Sequence, residues 1–528
     1  MARTPLLTEV QRLAAHFDRQ VSRREFIKVT GAAVGAAAVS GPLAAFAAAP
    51  PRIAIVGGGI AGLNAALTLR DAGYASTVYE ASNRVGGRMH SDTTSWAYGQ
   101  TSEHCGELID SGHKTILKLA NRFNLATVDL LGAEPNHSDD TYYFSGGYYP
   151  RQQAIDDFGP VYNAVHKDAS AASYPTLYNL STPAGRALDR MSVYDWIDSR
   201  VPGGHTSRMG QLLDVAYNIE YGNVTTDQSA LNLVYLLAYQ PVPGNFRIFG
   251  ASDERYHITG GNERLPRAIA ASLPQSSIKL STALTAIAKN ADGSYSLSFN
   301  SAAGPSTSTF DRVILAIPFS VLRTLNFRKA GFDRLKVTAI TELGYGKNAK
   351  LHLQFNSRYW NQAGPWVGQV GISNGSTYAD TGYQNTWDVT RAQAGATGIL
   401  VDYTGGGVPA AGFSGQPTAA DAAAYARTFL GQIEPVFPGI TAQWNGKATL
   451  DTPATDPNLL GSYSYWKVGQ YTKFSGYEKA RQPFPDGKCH FAGEHCSQDA
   501  QGYMEGGASE GARAAGEILS DYKVGIFP

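Results

Sequence analysis

Gly57, Gly59 and Gly62 fall in the order G-x-G-x-x-G within the string GGGIAG, directly after the apolar run RIAIV (52–56) and directly before LNAALTLRDAG. That spacing suits a dinucleotide pyrophosphate. The first glycine permits a tight turn, the second lets the backbone approach the phosphates, and the third lets helix and strand pack closely. Ala61 belongs to the same turn. The next apolar segment, STVYE, ends in Glu80, an acid placed to accept hydrogen bonds from the adenosine ribose hydroxyls and to disfavour a 2′-phosphate. Cys489, His490, His495 and Cys496 are metal-ligand residue types in one short stretch. The first pair falls on a strand-like run and the second on a turn, so no metal site is expected.

Positioning these groups takes a buried strand, a turn, a helix, a second strand and a terminal acid in order within thirty residues, which predicts an α/β chain with a Rossmann-like domain. FDRVILAIP (310–318) reads as a further buried strand. SVYDWIDSRV (192–201) and DQSALNLVYLLAY (227–239) predict helices, and LHLQF (351–355) and TGILVDY (397–403) predict strands. The 528 residues exceed one ordinary core and suit two domains. With 43% hydrophobic and 17% charged residues the composition is globular, which excludes a disordered chain. Lys+Arg and Asp+Glu number 44 each, so no global basic field exists to hold a nucleic acid. Three cysteines, Cys105, Cys489 and Cys496, cannot build a disulfide framework.

The amino terminus reads as a targeting segment. SRREFIK (22–28) precedes a weakly apolar tract from Val29 to Ala49 that Gly31, Gly35, Gly41 and Pro42 interrupt, whereas a membrane span needs about 20 strongly apolar residues. Arg23 and Arg24 before such a tract read as a twin-arginine export signal. Ala45-Phe46-Ala47 fits small-x-small cleavage, so residues 1–47 are expected to be removed, leaving 38 basic against 41 acidic side chains. The expectation is a cargo that folds with its cofactor, engages the twin-arginine translocon and ends in the periplasm or is secreted.

Two further strings extend the glycine motif. ASNRVGGRMHSD (81–92) follows Glu80, and HFAGEHCSQDAQGYMEGGASEGARAAGEIL spans 490–519. Together they resemble the two signatures of the flavin amine oxidase family, in its monoamine oxidase-like form. The resemblance implies FAD as cofactor and an amine oxidase / glutathione reductase-like FAD fold, in which an α+β substrate domain interrupts the Rossmann-like FAD-binding domain. It places the FAD-binding domain at 51–131, 256–335 and 456–528 and the substrate domain at 132–255 and 336–455. It implies that Gly87 and Arg88 lie over the phosphates and that Glu494 bonds the ribityl chain. It also implies that Gly502, Tyr503 and Met504 bring a helix N-terminus under the flavin, and that the strand from Ser277 to Ile287 lays Leu284 against adenine. The CGELI string (105–109), with Gly106, Glu107 and Leu108, then passes close to the flavin ring.

The same resemblance assigns the chemistry. Lys350, ten residues before Trp360, takes the place of the family lysine that faces flavin N5; Lys347 would point to the opposite face of the strand. Tyr463 and Tyr503 take the places of two walls of an aromatic cage. Ser462 stands where the mitochondrial monoamine oxidases carry the cysteine bound to FAD, so FAD is expected to be noncovalent, and the ending Ile526-Phe527-Pro528 leads to the expectation of no stable membrane anchor. Between Gln100 and His113 the only basic residue types are histidines. A substrate carboxylate wants a bidentate cation, so the expected substrate is a small amine, with O2 or another acceptor taking the electrons. Glu107 is expected either to attract a cationic amine or to bond the flavin or a neighbouring backbone. An L-amino acid oxidase, a desaturase or isomerase of similar fold, and a noncatalytic flavoprotein are the alternatives. The sequence does not fix the oligomeric state, a homodimer included.

Overall fold

The computed structural model describes residues 50–239, 242, 244–363, 371–407, 413 and 418–523. Residues 1–47, expected to be an export signal, and the ending at 526–528 lie outside them.

Ile53–Val56 is fully buried, as a central strand of a parallel sheet covered on both faces must be. Five parallel strands line up in the order Cys489–Phe491, Arg312–Leu315, Ile53–Val56, Thr77–Tyr79, Ile278–Lys279. Ile55 sits between Ile314 and Val78. The stretch from Ser277 to Ile287, read as one strand, is two. Ser281 takes a φ of 50°, which turns the chain out of the parallel sheet, and Thr282–Lys289 pairs instead with Tyr295–Ser301 in a four-stranded sheet.

The two ends of the described chain pack on each other. Helix Ile60–Asp71 lies along helix Met504–Lys523 so closely that a Cβ at Gly511 would stand 2.0 Å from the Ala61 carbonyl oxygen. Asn64 donates to the Ala508 carbonyl at 2.7 Å across the same seam.

The remaining large sheet has seven strands in the order Trp444–Asp451, Ala349–Phe355, Gly398–Thr404, Asn385–Asp388, Ile372–Ala379, Ser138–Phe144, Gly147–Tyr148. The predicted strands around LHLQF and TGILVDY pair antiparallel at its centre, Lys350 opposite Tyr403. The predicted helices form as Val193–Arg200 and Ala230–Leu237. Ser192 starts the first through a capping box with Asp195, which satisfies donors the helix leaves open. Trp196, Leu213 and Val234 bury their side chains in one core with Phe144 of the sheet.

Candidate active site

A cavity of about 880 Å³ runs from the glycine turn to the seven-stranded sheet, near the top of the range of about 300–1,000 Å³ usual for ligand sites. Gly57, Gly59, Ala61, Glu80, Gly87, Arg88, Gly106, Glu107, Leu108, Leu284, Lys350, Tyr463, Glu494, Gly502, Tyr503 and Met504 all line it. Gly62 alone among the sequence-selected residues is off the wall. A Cβ there would fall 2.0 Å from the Gly57 carbonyl oxygen, so it serves the packing of helix on strand.

At the glycine end Gly57 has a φ of 107° and Gly59 faces open space. The Glu80 carboxylate accepts from Gly58 N at 2.6 Å and from Ser82 N at 2.8 Å. Helix Ile60–Asp71 begins at this turn, so its first amide groups suit a pyrophosphate. Leu284 enters from the four-stranded sheet, where it pairs with Phe299. Adenosine, ribose and pyrophosphate would thus find an apolar wall, an acid and a backbone cradle, and the residues present fit a dinucleotide cofactor.

Toward the middle, Arg88 donates to Glu494 at 3.0 Å and to the Ser462 carbonyl at 2.7 Å. Burial pushes the Glu494 carboxyl up, but Arg88, His495 and Ser464 outweigh burial and hold it below the usual range. Glu494 also accepts from Ser464 Oγ at 2.7 Å and Gly502 N at 2.9 Å, which locks the start of the closing helix. That helix begins at Met504. Met504 packs so near Gly106 that a Cβ at Gly106 would lie 3.1 Å from its sulfur.

Lys350 is buried within the strand Ala349–Phe355, whereas Lys347 is exposed and stands two residues before that strand begins, contrary to the expectation from sequence that the two lysines occupy opposite faces of one strand. The Lys350 ammonium donates to Glu107 Oε2 at 2.7 Å, to the Cys105 carbonyl at 2.8 Å and to the Glu103 carbonyl at 3.3 Å, which matches its three donors. Glu107 accepts a second bond from Trp387 Nε1 at 2.9 Å. Burial raises the Glu107 carboxyl, but Lys350, His352 and Trp387 together bring it below its usual range. Of the two roles expected for Glu107, attraction of an amine is therefore opposed by a lysine already in contact with it.

Tyr463 donates to the Ile219 carbonyl at 2.9 Å, so Tyr403, 2.9 Å from the same hydroxyl, is the donor to Tyr463. Tyr503 donates to Glu220 at 3.2 Å, and its ring meets His113 edge-on at 5.2 Å. Trp387, Tyr403, Tyr378, Arg391 and Glu254 line the same cavity and were not legible as site residues. They come from strands and loops whose facing is set by long-range pairing, and no local motif marks them. Arg391 is paired with Glu134 at 2.8 Å. Arg247 also lines the cavity, whereas Arg255 is paired with Asp129 and is 41% exposed.

Among the described residues no group of three His, Cys, Asp or Glu side chains is arranged to hold a metal ion. His490 instead contacts Glu517 at 2.7 Å. No helix among them is long and apolar enough to cross a membrane.

Residues 60–519 match the model of the flavin containing amine oxidoreductase family. Polyamine oxidase 4 of Oryza sativa subsp. japonica is 25% identical over 477 residues, 89% of this chain and 89% of that protein. The L-amino-acid oxidase of Mus musculus is 23% identical over 505 residues, 90% of this chain and 72% of the relative. The solved structure of cyclohexylamine oxidase from Brevibacterium oxydans superposes with a TM-score of 0.74 at 20% identity, covering 90% of this chain and 100% of that one. The chain belongs to the flavin containing amine oxidoreductase family. It is an FAD-dependent amine oxidase; FAD held along the glycine turn, Glu80, Arg88 and Glu494 would supply the hydride acceptor for the carbon beside an amine nitrogen, with O2 taking the electrons to give hydrogen peroxide and the oxidised amine hydrolysing to an aldehyde.

Proposed function

We propose that the substrate is a small amine without a carboxylate on the carbon that is oxidised, and that it enters between Tyr463 and Tyr503. The observation that carries this reading is the closed pair of Lys350 and Glu107 beside Leu108. The CGELI stretch offers the cavity an acid and an apolar side chain, and the lysine next to them is already held at 2.7 Å. A carboxylate buried there without a bidentate partner would cost several kcal/mol. Tyr463, anchored through Ile219 and Tyr403, and Tyr503, anchored through Glu220, present fixed rings that favour a slender amine and exclude water.

Gly57, Gly59, Glu80, Leu284, Arg88 and Glu494 hold the FAD in this reading, without a covalent bond, since position 462 is serine. Lys350 fixes the Cys105–Glu107 turn from the cavity wall through its bonds to the Cys105 carbonyl and Glu107. The decisive experiment is anaerobic bleaching of the flavin by a panel of amines, polyamines and amino acids. Bleaching by amines alone supports the reading; bleaching by amino acids alone removes it. A second reading, an L-amino acid oxidase, is favoured by Arg391 and Arg247 on the same cavity wall.

The chain is further proposed to be exported by the twin-arginine route. Replacing both Arg23 and Arg24 by Lys is expected to leave the FAD-loaded precursor in the cytoplasm, and undiminished export of that variant would exclude the route.

A further inference from the structure

A second cluster of titratable groups stands beside Lys350 and has no part in the reading above. Asp451 pairs directly across from Lys350 in the seven-stranded sheet, which puts their Cα atoms about 5 Å apart. Its Oδ1 lies 2.6 Å from His104 Nδ1, and its Oδ2 lies 3.9 Å from Nδ1 of His352. His352 is two residues from Lys350 on the same strand and so on the same face. It is wholly buried, and neither ring nitrogen has a hydrogen-bond partner among the described residues. His90 stacks on His104 with ring centroids 4.2 Å apart. His104 lines the cavity and is 26% exposed. It therefore faces the cavity, retains solvent contact and has a carboxylate behind it.

We propose that His104, backed by Asp451, is the group that takes the proton from an ammonium substrate in this cavity. This rests on the amine oxidase reading. In the neutral ring, with Nδ1–H donated to Asp451, the other ring nitrogen, Nε2, is the acceptor, so the step draws on the unprotonated fraction of His104. An N–H bond of the ammonium breaks, an N–H bond forms at Nε2, and the electron pair stays on the amine nitrogen, where oxidation needs it. No electrons are transferred in the step. The proton then leaves to solvent from the exposed edge of the ring.

The surrounding charges single out His104 among the three imidazoles. Burial lowers it, but Asp451, Asp92 and Glu103 outweigh burial and hold it above the ordinary histidine value. His352 is lowered to about 4 by burial and then by Lys350, against Asp451 and Glu107. His90 is lowered to about 4 by burial, His104 and Arg84, against Glu263 and Asp451. His352 and His90 stay neutral near pH 7, and the carboxylate serves His104.

The test compares anaerobic flavin reduction by an amine in the FAD-loaded wild type, His104→Gln and Asp451→Asn across pH. Both variants are expected to slow reduction by about tenfold or more near pH 7. They should return to within about twofold of wild type at about pH 10, where much of the amine arrives unprotonated. A deficit that is equal at all pH values, or no deficit, overturns the proposal. A second measurement needs no turnover. In the FAD-loaded protein the raised His104 stabilises the fold below about pH 6.5, and this is lost as pH rises through its folded value. The melting temperature of wild type should therefore exceed that of Asp451→Asn by more at about pH 6 than at about pH 9, and a pH-independent difference overturns the pairing. If no amine bleaches the flavin while the melting difference appears, the substrate reading fails and the pairing of His104 with Asp451 stands.

Discussion

Lys350 and Glu107 meet at 2.7 Å, each about 7% exposed, and they come from different parts of the fold. Glu107 follows the short strand Ser102–Glu103, while Lys350 lies within Ala349–Phe355 of the seven-stranded sheet. The pair ties the turn beside the cofactor cavity to the sheet that faces it. Attraction across so dry a contact offsets much of the desolvation of both charges, whereas removal of one partner leaves the other buried and uncompensated.

Lys350→Met is accordingly expected to slow amine oxidation or flavin reoxidation by at least about tenfold, roughly 1.4 kcal/mol, and to lower stability by about 3–5 kcal/mol. Adding Glu107→Gln should recover much of the stability and none of the rate. Lys347→Met, exposed ahead of the strand, should change neither. Stopped-flow spectra and denaturant unfolding of the three variants beside the wild type check this.

Flavin is expected to leave the protein entirely on acid precipitation and to be recovered as FAD. Ser462 uses its hydroxyl to donate to Asn348 at 2.6 Å and its carbonyl to hold Arg88, so it offers no thiol for a covalent link. Yellow colour retained in the washed pellet would contradict the expectation.

Tyramine should reduce the flavin faster than tyrosine, which differs from it only by the carboxylate. The Cys105–Ile109 stretch sends no cation into the cavity. The opposite order of rates would bring Arg391 or Arg247, both on the cavity wall, to the substrate carboxylate. Arg391→Met would then abolish the advantage of the amino acid only if Arg391 is the residue involved.

Asp402, opposite Leu351 in the same sheet, is buried and its Oδ1 has no hydrogen-bond partner among the described residues. Burial pushes its carboxyl up to about 8. Because the folded value lies above the unfolded one of about 3.9, the fold retains a proton that the unfolded chain loses, and stability falls as pH rises from about 4 to about 8. Asp402→Asn cannot ionise, so its melting temperature should gain on wild type steadily from about pH 5 to about pH 8. A constant offset over that interval would show that Asp402 is not titrating.

The parts of the site that were legible share a physical reason. Gly57, Gly62, Glu80 and Glu494 sit where backbone geometry, close packing or a buried carboxylate allows few residue types, so the local string carries the information. Lys350 could be separated from Lys347 by its ten-residue spacing to Trp360; strand alternation played no part, because Lys347 precedes the strand. Trp387 and Tyr403 are different: the first reaches Glu107 and the second reaches Tyr463 only because Asn385–Asp388 and Gly398–Thr404 pair in a particular register. Register in a seven-stranded sheet is a property of the whole assembly. The break at Ser281 was missed likewise, since its left-handed turn is imposed by the departure of the chain toward a second sheet and serine does not announce it.

The seam between helices Ile60–Asp71 and Met504–Lys523 also sets a timetable for synthesis. A ribosome that has made Gly57 must add more than 400 further residues before Glu494 and Gly511 exist, which at about 5–20 residues per second takes roughly 20–90 seconds. Throughout that interval the glycine turn has no closing helix against it and the acid at 494 is missing. A cavity wall that needs Gly57 and Glu494 together is therefore complete only when the chain is nearly finished.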